Sequence, residues 1–267
     1  MLYFFVDFLL SLVLFVLCFL AFSFITLRLL LWGGHTKREL VTVSDQPIQM
    51  DPVIAVLIIT HPDEECMFFT PTITSFLSCG IKVYVVCLST GNAYGQGETR
   101  KRELILSCNS LGVPASRVYI EDSPKLQDGA EWIPSDCVIA IRKAFRAFGA
   151  IPDFLLTLDC VGVSGNMNHK STYLAVQQLI SQQKERTEKF IRGFKLCTVG
   201  AIRKHITIVD LWFALIERLF DHVDLLIVGK WENSWTALRQ HKSQLVWFRW
   251  IYIFVSRYAM VNTLKEL

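Results

Sequence analysis

One stretch of the chain places an imidazole and a run of carboxylates in direct succession. His61 and Pro62 come shortly after the apolar residues 53–59. A run of three acidic residues then begins at Asp63 and continues with Glu64. The continuous β-branched run predicts a buried strand, and Pro62 ends it. One carboxylate and two histidines form a common ligand set for catalytic zinc, so this strand end is a candidate metal site if a second histidine lies nearby.

A second polar segment supplies that histidine. Residues 159–169 follow the predicted strand 153–158 and end at His169. The carboxyl ends of parallel strands meet at one edge of a sheet, where ligands bind, so His61 and His169 are expected close together. The spacing also allows a simpler interpretation, because acids are favoured in the first turn of any helix and a single histidine often has only a structural role.

The remaining pattern predicts an α/β fold with a Rossmann-like, mostly parallel sheet and flanking helices. Apolar runs alternate with helical patterns along the chain, which is typical of βαβ units. Strands are predicted at 53–59, 82–88, 117–120, 153–158 and 225–228, and helices at 64–78, 98–111, 135–148 and 171–183.

The amino-terminal segment predicts a transmembrane helix ahead of this domain. Residues 8–27 contain no charge and are long enough to span a bilayer. A cleaved signal peptide is the alternative, but Asp7 precedes the run, the run is long, and no small-residue cleavage site is evident. Basic residues follow the run at Arg28, Lys37 and Arg38, which places the carboxyl-terminal side in the cytosol.

Composition favours one cytosol-facing domain. The 267 residues carry a net charge of +3, so there is no electrostatic basis for nucleic-acid binding. Eight scattered cysteines without a CxxC motif indicate buried free thiols in a reducing compartment. We expect a membrane anchor at 1–32, a polar linker at 33–52, a catalytic domain at 53–244 and an aromatic membrane-proximal segment at 245–267.

The carboxyl-terminal segment leaves two interpretations open. Residues 245–260 are rich in aromatic side chains and are interrupted by Arg249 and Arg257. A helix at the membrane interface fits this composition, with arginines extending toward the headgroups. A core helix packed on the sheet is the alternative, and a second transmembrane span is disfavoured by the two arginines.

Several sequence blocks resemble a known family. HPDEE followed by MFF resembles the HPDDE signature of the LmbE-like metal-dependent deacetylases. LSTGNAYGQGETRKREL, GVSGNMNH and HKSQLVWFRWIYIFVSRY resemble blocks of a eukaryotic branch of that family. The resemblance covers about residues 53–262. It implies removal of acetyl from N-acetylglucosaminylphosphatidylinositol in the second step of glycosylphosphatidylinositol synthesis, a zinc cofactor, and a location in the endoplasmic reticulum membrane with the catalytic domain facing the cytosol.

The resemblance also implies roles for individual residues. His61, Glu64 and His169 match the metal ligands, and Asp63 matches the general base. Asn166 stands at a position tied to oxyanion stabilisation. Three further residues match family positions on the substrate side of the pocket, namely Arg100, Glu103 and His241. By itself, the basic cluster around Arg100 is equally typical of a solvated helix face.

Two positions depart from the family pattern. Glu64 replaces the ligand aspartate, and Asn166 stands where the family usually has a histidine. Asparagine can donate a hydrogen bond to an oxyanion but cannot transfer a proton. Three hypotheses follow: an active de-N-acetylase with an altered site, an inactive relative that binds the glycolipid or a partner protein, and a deacetylase for another amino sugar. The anchor and aromatic tail favour a lipid substrate over a soluble one.

Overall fold

A mixed sheet of seven strands forms the centre of the described part of the chain. The computed structural model describes residues 2–32, 53–184, 191–220 and 222–267. In space the strands follow the order β3-β2-β1-β4-β5-β7-β6. In chain order they are β1 (Ile54–Ile59), β2 (Lys82–Cys87), β3 (Val118–Ile120), β4 (Phe154–Leu158), β5 (Arg192–Leu196), β6 (Leu225–Val228) and β7 (Val261–Glu266).

The predicted Rossmann-like, mostly parallel sheet is confirmed. Strands β1 to β5 pair in parallel, whereas β7 runs antiparallel to both of its neighbours. Strand β1 lies between β2 and β4, with Leu57 opposite Leu156 and Ile59 opposite Cys87. This central position explains its continuous apolar sequence, because both faces of a parallel strand are covered. The carboxyl ends of β1 and β4 are therefore neighbours.

Helices cover both faces of the sheet. One face packs against Phe76, Leu104 and Ile253, and the other against Ile141 and Val176. The described helices are α1 (Leu2–Trp32), α2 (Glu64–Phe68), α3 (Thr70–Ser78), α4 (Gly97–Ser110), α5 (Pro134–Phe148), α6 (Met167–Lys184), α7 (Ala201–Lys204), α8 (Thr207–Leu219), α9 (Trp231–Leu238) and α10 (Trp247–Val255).

Two predicted helices have different bounds in the structure. The helix expected at 64–78 is divided at Phe69 into α2 and α3, where Pro71 at the start of α3 lacks an amide hydrogen to donate. The helix expected to begin at Ser171 begins at Met167 instead. His169 therefore lies in the first turn of α6 rather than in the preceding loop.

The carboxyl-terminal segment is not separate from the domain. Instead of one helix over 245–260, the chain forms α10, a short 3₁₀ turn and then β7, which pairs between β5 and β6. Arg257 is fully buried and lies beside Asp210, with 3.0 Å between Nε and Oδ2. The interfacial prediction is therefore wrong for Arg257, whose charge is neutralised inside the fold, and the boundary expected at residue 245 divides one packed unit.

Helix α1 meets the length and composition required of a membrane span. Residues Tyr3–Thr26 of this helix are apolar and mostly exposed, and no other helix in the described residues passes the same test. Its carboxyl-terminal part contacts α8, where the Trp212 indole stacks on Phe22 with 5.3 Å between ring centroids. The linker expected at 33–52 lies outside the described residues.

Candidate active site

Glu64 folds back onto the end of β1. Its Oε2 accepts a hydrogen bond from the amide of Thr60, and its Oε1 accepts one from the amide of His61, each at 2.9 Å. Both amides belong to the residues that leave the strand, where no further strand partner is available to them. The turned-back side chain accommodates the extra methylene that distinguishes Glu64 from the aspartate of the family signature.

Two imidazoles converge on the same carboxylate oxygen. Oε1 of Glu64 lies 3.1 Å from Nδ1 of His61 and 2.9 Å from Nε2 of His169. Burial alone would raise the pKa of Glu64, but the charge and hydrogen bond of His169, with those of His61, hold the pKa well below its ordinary value. The structure therefore brings together the three ligands expected from the sequence.

A hydrogen bond on the side of the ring away from Glu64 fixes the orientation of His169. Its Nδ1 lies 2.7 Å from the carbonyl oxygen of Gly162, and because a carbonyl only accepts, Nδ1 carries the proton in this bond. Gly162 has φ +62°, and a Cβ there would lie 2.3 Å from Cβ of His169. Position 162, in the loop before α6, must therefore be glycine for the imidazole to reach the site.

This donor set fits a divalent metal. One atom from each of His61, Glu64 and His169 lies within 4.8 Å of the other two. Two imidazoles and one carboxylate match the ligands of catalytic zinc sites. The Gly162 carbonyl acts as the outer partner that such ligating histidines usually have, leaving Nε2 of His169 to face the site.

Asp63 lies next to this cluster in an unusual backbone conformation. Its φ is 109° and ψ is −17°, a left-handed geometry that is uncommon for residues other than glycine. The Asp63 amide donates to Oε2 of Glu65 at 3.0 Å, and its Oδ2 lies 2.7 Å from Nη1 of Arg249. Both the backbone and the carboxylate of Asp63 are therefore held by neighbouring groups.

His241 lies behind the site and not on its substrate side. It is fully buried, and its Nε2 lies 2.6 Å from Oε1 of Glu65, which also accepts from Ser107 at 2.5 Å. His241 does not line the cavity. The expected substrate contact is therefore wrong for His241, because Glu65 stands between it and Asp63.

Arg100 and Glu103 both bind protein groups, and Nη2 of Arg100 also lies 3.5 Å from Oδ2 of Asp63. The Arg100 guanidinium donates to the carbonyls of Gly91 and Pro62 at 2.9 and 2.7 Å, so it joins two loops while lining the cavity wall. Glu103 accepts from the amide and hydroxyl of Ser243 at 2.7 and 2.6 Å and does not line the cavity. Glu103 therefore anchors the segment before α10 rather than facing a substrate.

Asn166 is exposed and lines the cavity beside His169. Its Oδ1 accepts from the amide of Asn168 at 2.8 Å, which is the arrangement of a residue that caps a helix. The side-chain oxygen is engaged with α6, and the amide nitrogen is the group left to donate toward the cavity.

Two site residues carry no local sequence signal. Oδ1 of Asp128 lies 3.2 Å from Nε2 of His61, and Arg249 contacts Asp63 from α10. Burial alone would lower the pKa of His61, but hydrogen bonds with Asp128 and Glu64 raise the pKa to about 9. Arg249 was expected to extend toward lipid headgroups, and this is wrong because its guanidinium points into the site.

The cavity has a volume of about 530 Å³, within the range of small-molecule sites. Polar groups lie at its base, where His61, Glu64 and His169 meet. Its walls add Phe68 and Gln244. The arrangement places a candidate metal site, a carboxylate beside it and an amide donor around a space large enough for a sugar.

Comparisons with known proteins identify the family. The family model described as GlcNAc-PI de-N-acetylase (PIG-L) matches residues 56–180. A probable N-acetylglucosaminyl-phosphatidylinositol de-N-acetylase of Dictyostelium discoideum is 32% identical over 240 residues, covering 79% of this chain and 92% of the relative. The Bos taurus N-acetylglucosaminyl-phosphatidylinositol de-N-acetylase is 34% identical over 214 residues, covering 79% and 83%.

A solved structure shares the fold. The N,N'-diacetylchitobiose deacetylase from Pyrococcus horikoshii aligns with a TM-score of 0.52 and 18% identity, covering 86% of this chain and 89% of that protein. Identity at this level shows the fold alone, whereas the identity and coverage of the Dictyostelium and Bos relatives show the family. This chain therefore belongs to the PIG-L family of GlcNAc-PI de-N-acetylases.

Proposed function

We propose that this chain is a zinc-dependent amide hydrolase that removes acetyl from N-acetylglucosaminylphosphatidylinositol. The observation that carries the proposal is the convergence of His61, Glu64 and His169 at the base of a cavity that also contains Asp63. The names of the matched relatives support the substrate. His61, Glu64 and His169 would hold the ion, which supplies Lewis acidity that polarises the acetamide carbonyl and lowers the pKa of the attacking water.

Asp63 would take a proton from that water. Arg249 on its Oδ2 and Glu65 on its amide fix the carboxylate beside the ligand cluster, as general base catalysis requires. Asn166 would donate a hydrogen bond from its amide nitrogen to the developing oxyanion. The proton held by Asp63 would then pass to the departing amine, because the Asn166 amide is too weakly acidic to act as a general acid.

The substrate pocket would accept the sugar, with the lipid remaining in the bilayer. We assign α1 as a single membrane anchor and place the catalytic domain on the cytosolic side of the endoplasmic reticulum membrane, in line with the basic residues that follow α1. Helix α10 would lie at the interface, since it exposes Trp247, Phe248, Trp250, Ile251 and Phe254 while Arg249 reaches the site. Membrane contact and the arginine that holds the catalytic carboxylate would thus share one helix.

Acetate release by purified, detergent-solubilised full-length protein tests this proposal. Mixed micelles containing N-acetylglucosaminylphosphatidylinositol should yield acetate, a chelator should stop the release, and added zinc should restore it. A soluble N-acetylglucosamine conjugate serves as the comparison substrate. Comparable turnover of that conjugate would contradict the lipid substrate, and release unaffected by chelator would contradict the metal dependence.

A further inference from the structure

Helix α8 exposes an apolar stripe. Phe213, Ile216, Leu219 and Phe220 are 47%, 50%, 79% and 70% exposed. At about 100° per residue, these side chains occupy a sector roughly 120° wide on one side of the helix. Surface helices of soluble proteins normally direct their apolar residues toward the core. Helix α8 does so with Leu211 and Ala214, and the exposed stripe is a second apolar face on the opposite side.

The acidic residues of α8 face the protein instead. Asp210 is fully buried, and its Oδ1 accepts from Nε of Arg203 at 2.5 Å. Glu217 accepts from the same guanidinium at 2.5 and 3.1 Å. Both carboxylates of α8 are therefore held in ion pairs with Arg203 and lie outside the exposed apolar stripe.

The stripe is adjacent to the candidate membrane span. Trp212 donates from Nε1 to Oγ of Ser23 at 2.7 Å, and its ring stacks on Phe22. Ile216 and Leu219 lie within about 40° of Trp212 around the helix axis, so the apolar stripe begins at the contact with α1. A bilayer that receives α1 must also surround the surface next to its carboxyl-terminal end.

We propose that α8 is a second membrane-contacting helix, with Phe213, Ile216, Leu219 and Phe220 seated in the headgroup and acyl-chain boundary beside α1. The inference rests on the proposed membrane anchorage of α1 and not on the deacetylation chemistry. Exposed apolar areas of this kind mark protein or membrane contacts, and continuity with α1 selects the membrane.

The α8 surface is joined to α10, which carries Arg249 of the site. The Thr207 hydroxyl at the start of α8 donates to the carbonyl of Val255 at 2.5 Å, and the His205 ring contacts Tyr252 with 6.0 Å between centroids. Three helices, α1, α8 and α10, therefore form one connected support. Docking of this support on a bilayer fixes the orientation of the catalytic domain toward its lipid substrate.

Photocrosslinking in the full-length protein tests the proposal. The photoreactive residue p-benzoylphenylalanine replaces Phe213 or Phe220 in protein reconstituted into vesicles of phosphatidylcholine and phosphatidylinositol. The same residue at Phe15 of α1 is the positive control, and at Ile139, which is 60% exposed on α5, the matched surface control. Mass spectrometry then identifies the adducts. Lipid adducts at Phe213 and Phe220, together with the absence of lipid adducts at Ile139, would support the membrane contact.

The outcomes separate this inference from the anchorage on which it depends. Lipid adducts at Phe15 with none above the Ile139 level at Phe213 and Phe220 would overturn the role of α8 and leave the anchor standing. Cross-linked dimers in place of lipid adducts would overturn it in favour of a second copy of the chain. Absence of adducts at Phe15 would overturn both the anchor and the α8 surface.

Discussion

Nη1 of Arg249 lies 2.7 Å from Oδ2 of Asp63, across 186 residues of sequence. Asp63 leaves the central strand, whereas Arg249 belongs to a helix whose other side chains include exposed aromatics. The ion pair is largely shielded, with 21% and 11% of the two side chains exposed. The carboxylate proposed as general base is therefore held by the helix proposed to contact the membrane.

Replacement of Arg249 should reduce turnover more than substrate affinity. We expect Arg249→Gln to lower kcat about 10- to 100-fold, the range typical of partners that orient a functional group, with a smaller change in KM. The physical reason is loss of the charge-assisted bond that fixes Asp63. Steady-state acetate release measures both constants, and an unchanged kcat with a raised KM would instead indicate a direct substrate contact.

Substitution of Gly162 should weaken metal binding through His169. In Gly162→Ala the new Cβ would lie 2.3 Å from Cβ of His169, so the imidazole must move. We expect metal affinity to fall about 10- to 100-fold, measured by titration of metal-free protein. Gly165→Ala is the matched control, because Gly165 also has positive φ but has no atom within 4 Å of the added Cβ. Equal losses in the two variants would contradict the role of His169 orientation.

A substitution at Asn166 can separate its bond to the Asn168 amide from its proposed bond to the oxyanion. Asn166→Asp keeps an oxygen for the Asn168 amide, which is held at 2.8 Å, but removes the amide donor. We expect kcat to fall about 10²- to 10³-fold while the unfolding temperature stays near that of the wild type. Asn166→His, unlike the aspartate variant, should keep a hydrogen-bond donor and support turnover. Full activity of the aspartate variant would exclude Asn166 from oxyanion stabilisation.

His241 should stabilise the fold in a pH-dependent way. Burial alone would lower its pKa, but the charge of Glu65 raises the pKa above the ordinary value of 6.5. A raised folded-state pKa contributes stability that is complete below pH 6.5 and is lost as pH rises through the folded-state pKa. Breaking a buried pair costs about 3–5 kcal/mol, so His241→Gln should be much less stable than wild type near pH 6.

Thermal unfolding of the two proteins from pH 6 to pH 10 measures this effect. The difference in unfolding temperature should be largest at the acidic end and should narrow toward alkaline pH. A difference that is constant across the range would contradict a charged His241–Glu65 pair. The bond between Glu65 and the Asp63 amide also predicts reduced turnover in His241→Gln at temperatures where it remains folded.

Local sequence was sufficient to predict the centre of the fold and the convergence of the candidate ligands. The apolar run before His61 identified β1, and parallel pairing of β1 with β4 brings the ends of both strands to one edge. His61 and His169 were predicted together for that reason. Glu64 and Asp63 followed from their adjacency to His61, although the fold-back of Glu64 onto two backbone amides had no sequence signal.

The remaining contacts join residues too distant for a local pattern. His241 lies 176 residues from Glu65, and their bond depends on packing of α9 beside α2. The same applies to Arg249, whose aromatic neighbours indicated a membrane surface but not the direction of its guanidinium. Strand β7 was missed because an antiparallel strand between two others is specified by its partners, β5 and β6, rather than by its own short sequence.

Acetate release as a function of bound metal is the most direct test of the central claim. Metal-free wild-type protein and Asp63→Asn are each titrated with zinc, and bound metal and acetate from N-acetylglucosaminylphosphatidylinositol are measured in the same samples. We predict that both proteins bind one metal ion, that wild-type turnover rises in proportion to bound metal, and that Asp63→Asn is slower by about 10²- to 10⁴-fold. Absence of turnover by metal-loaded wild-type protein would contradict the account and favour a non-catalytic role in binding the glycolipid.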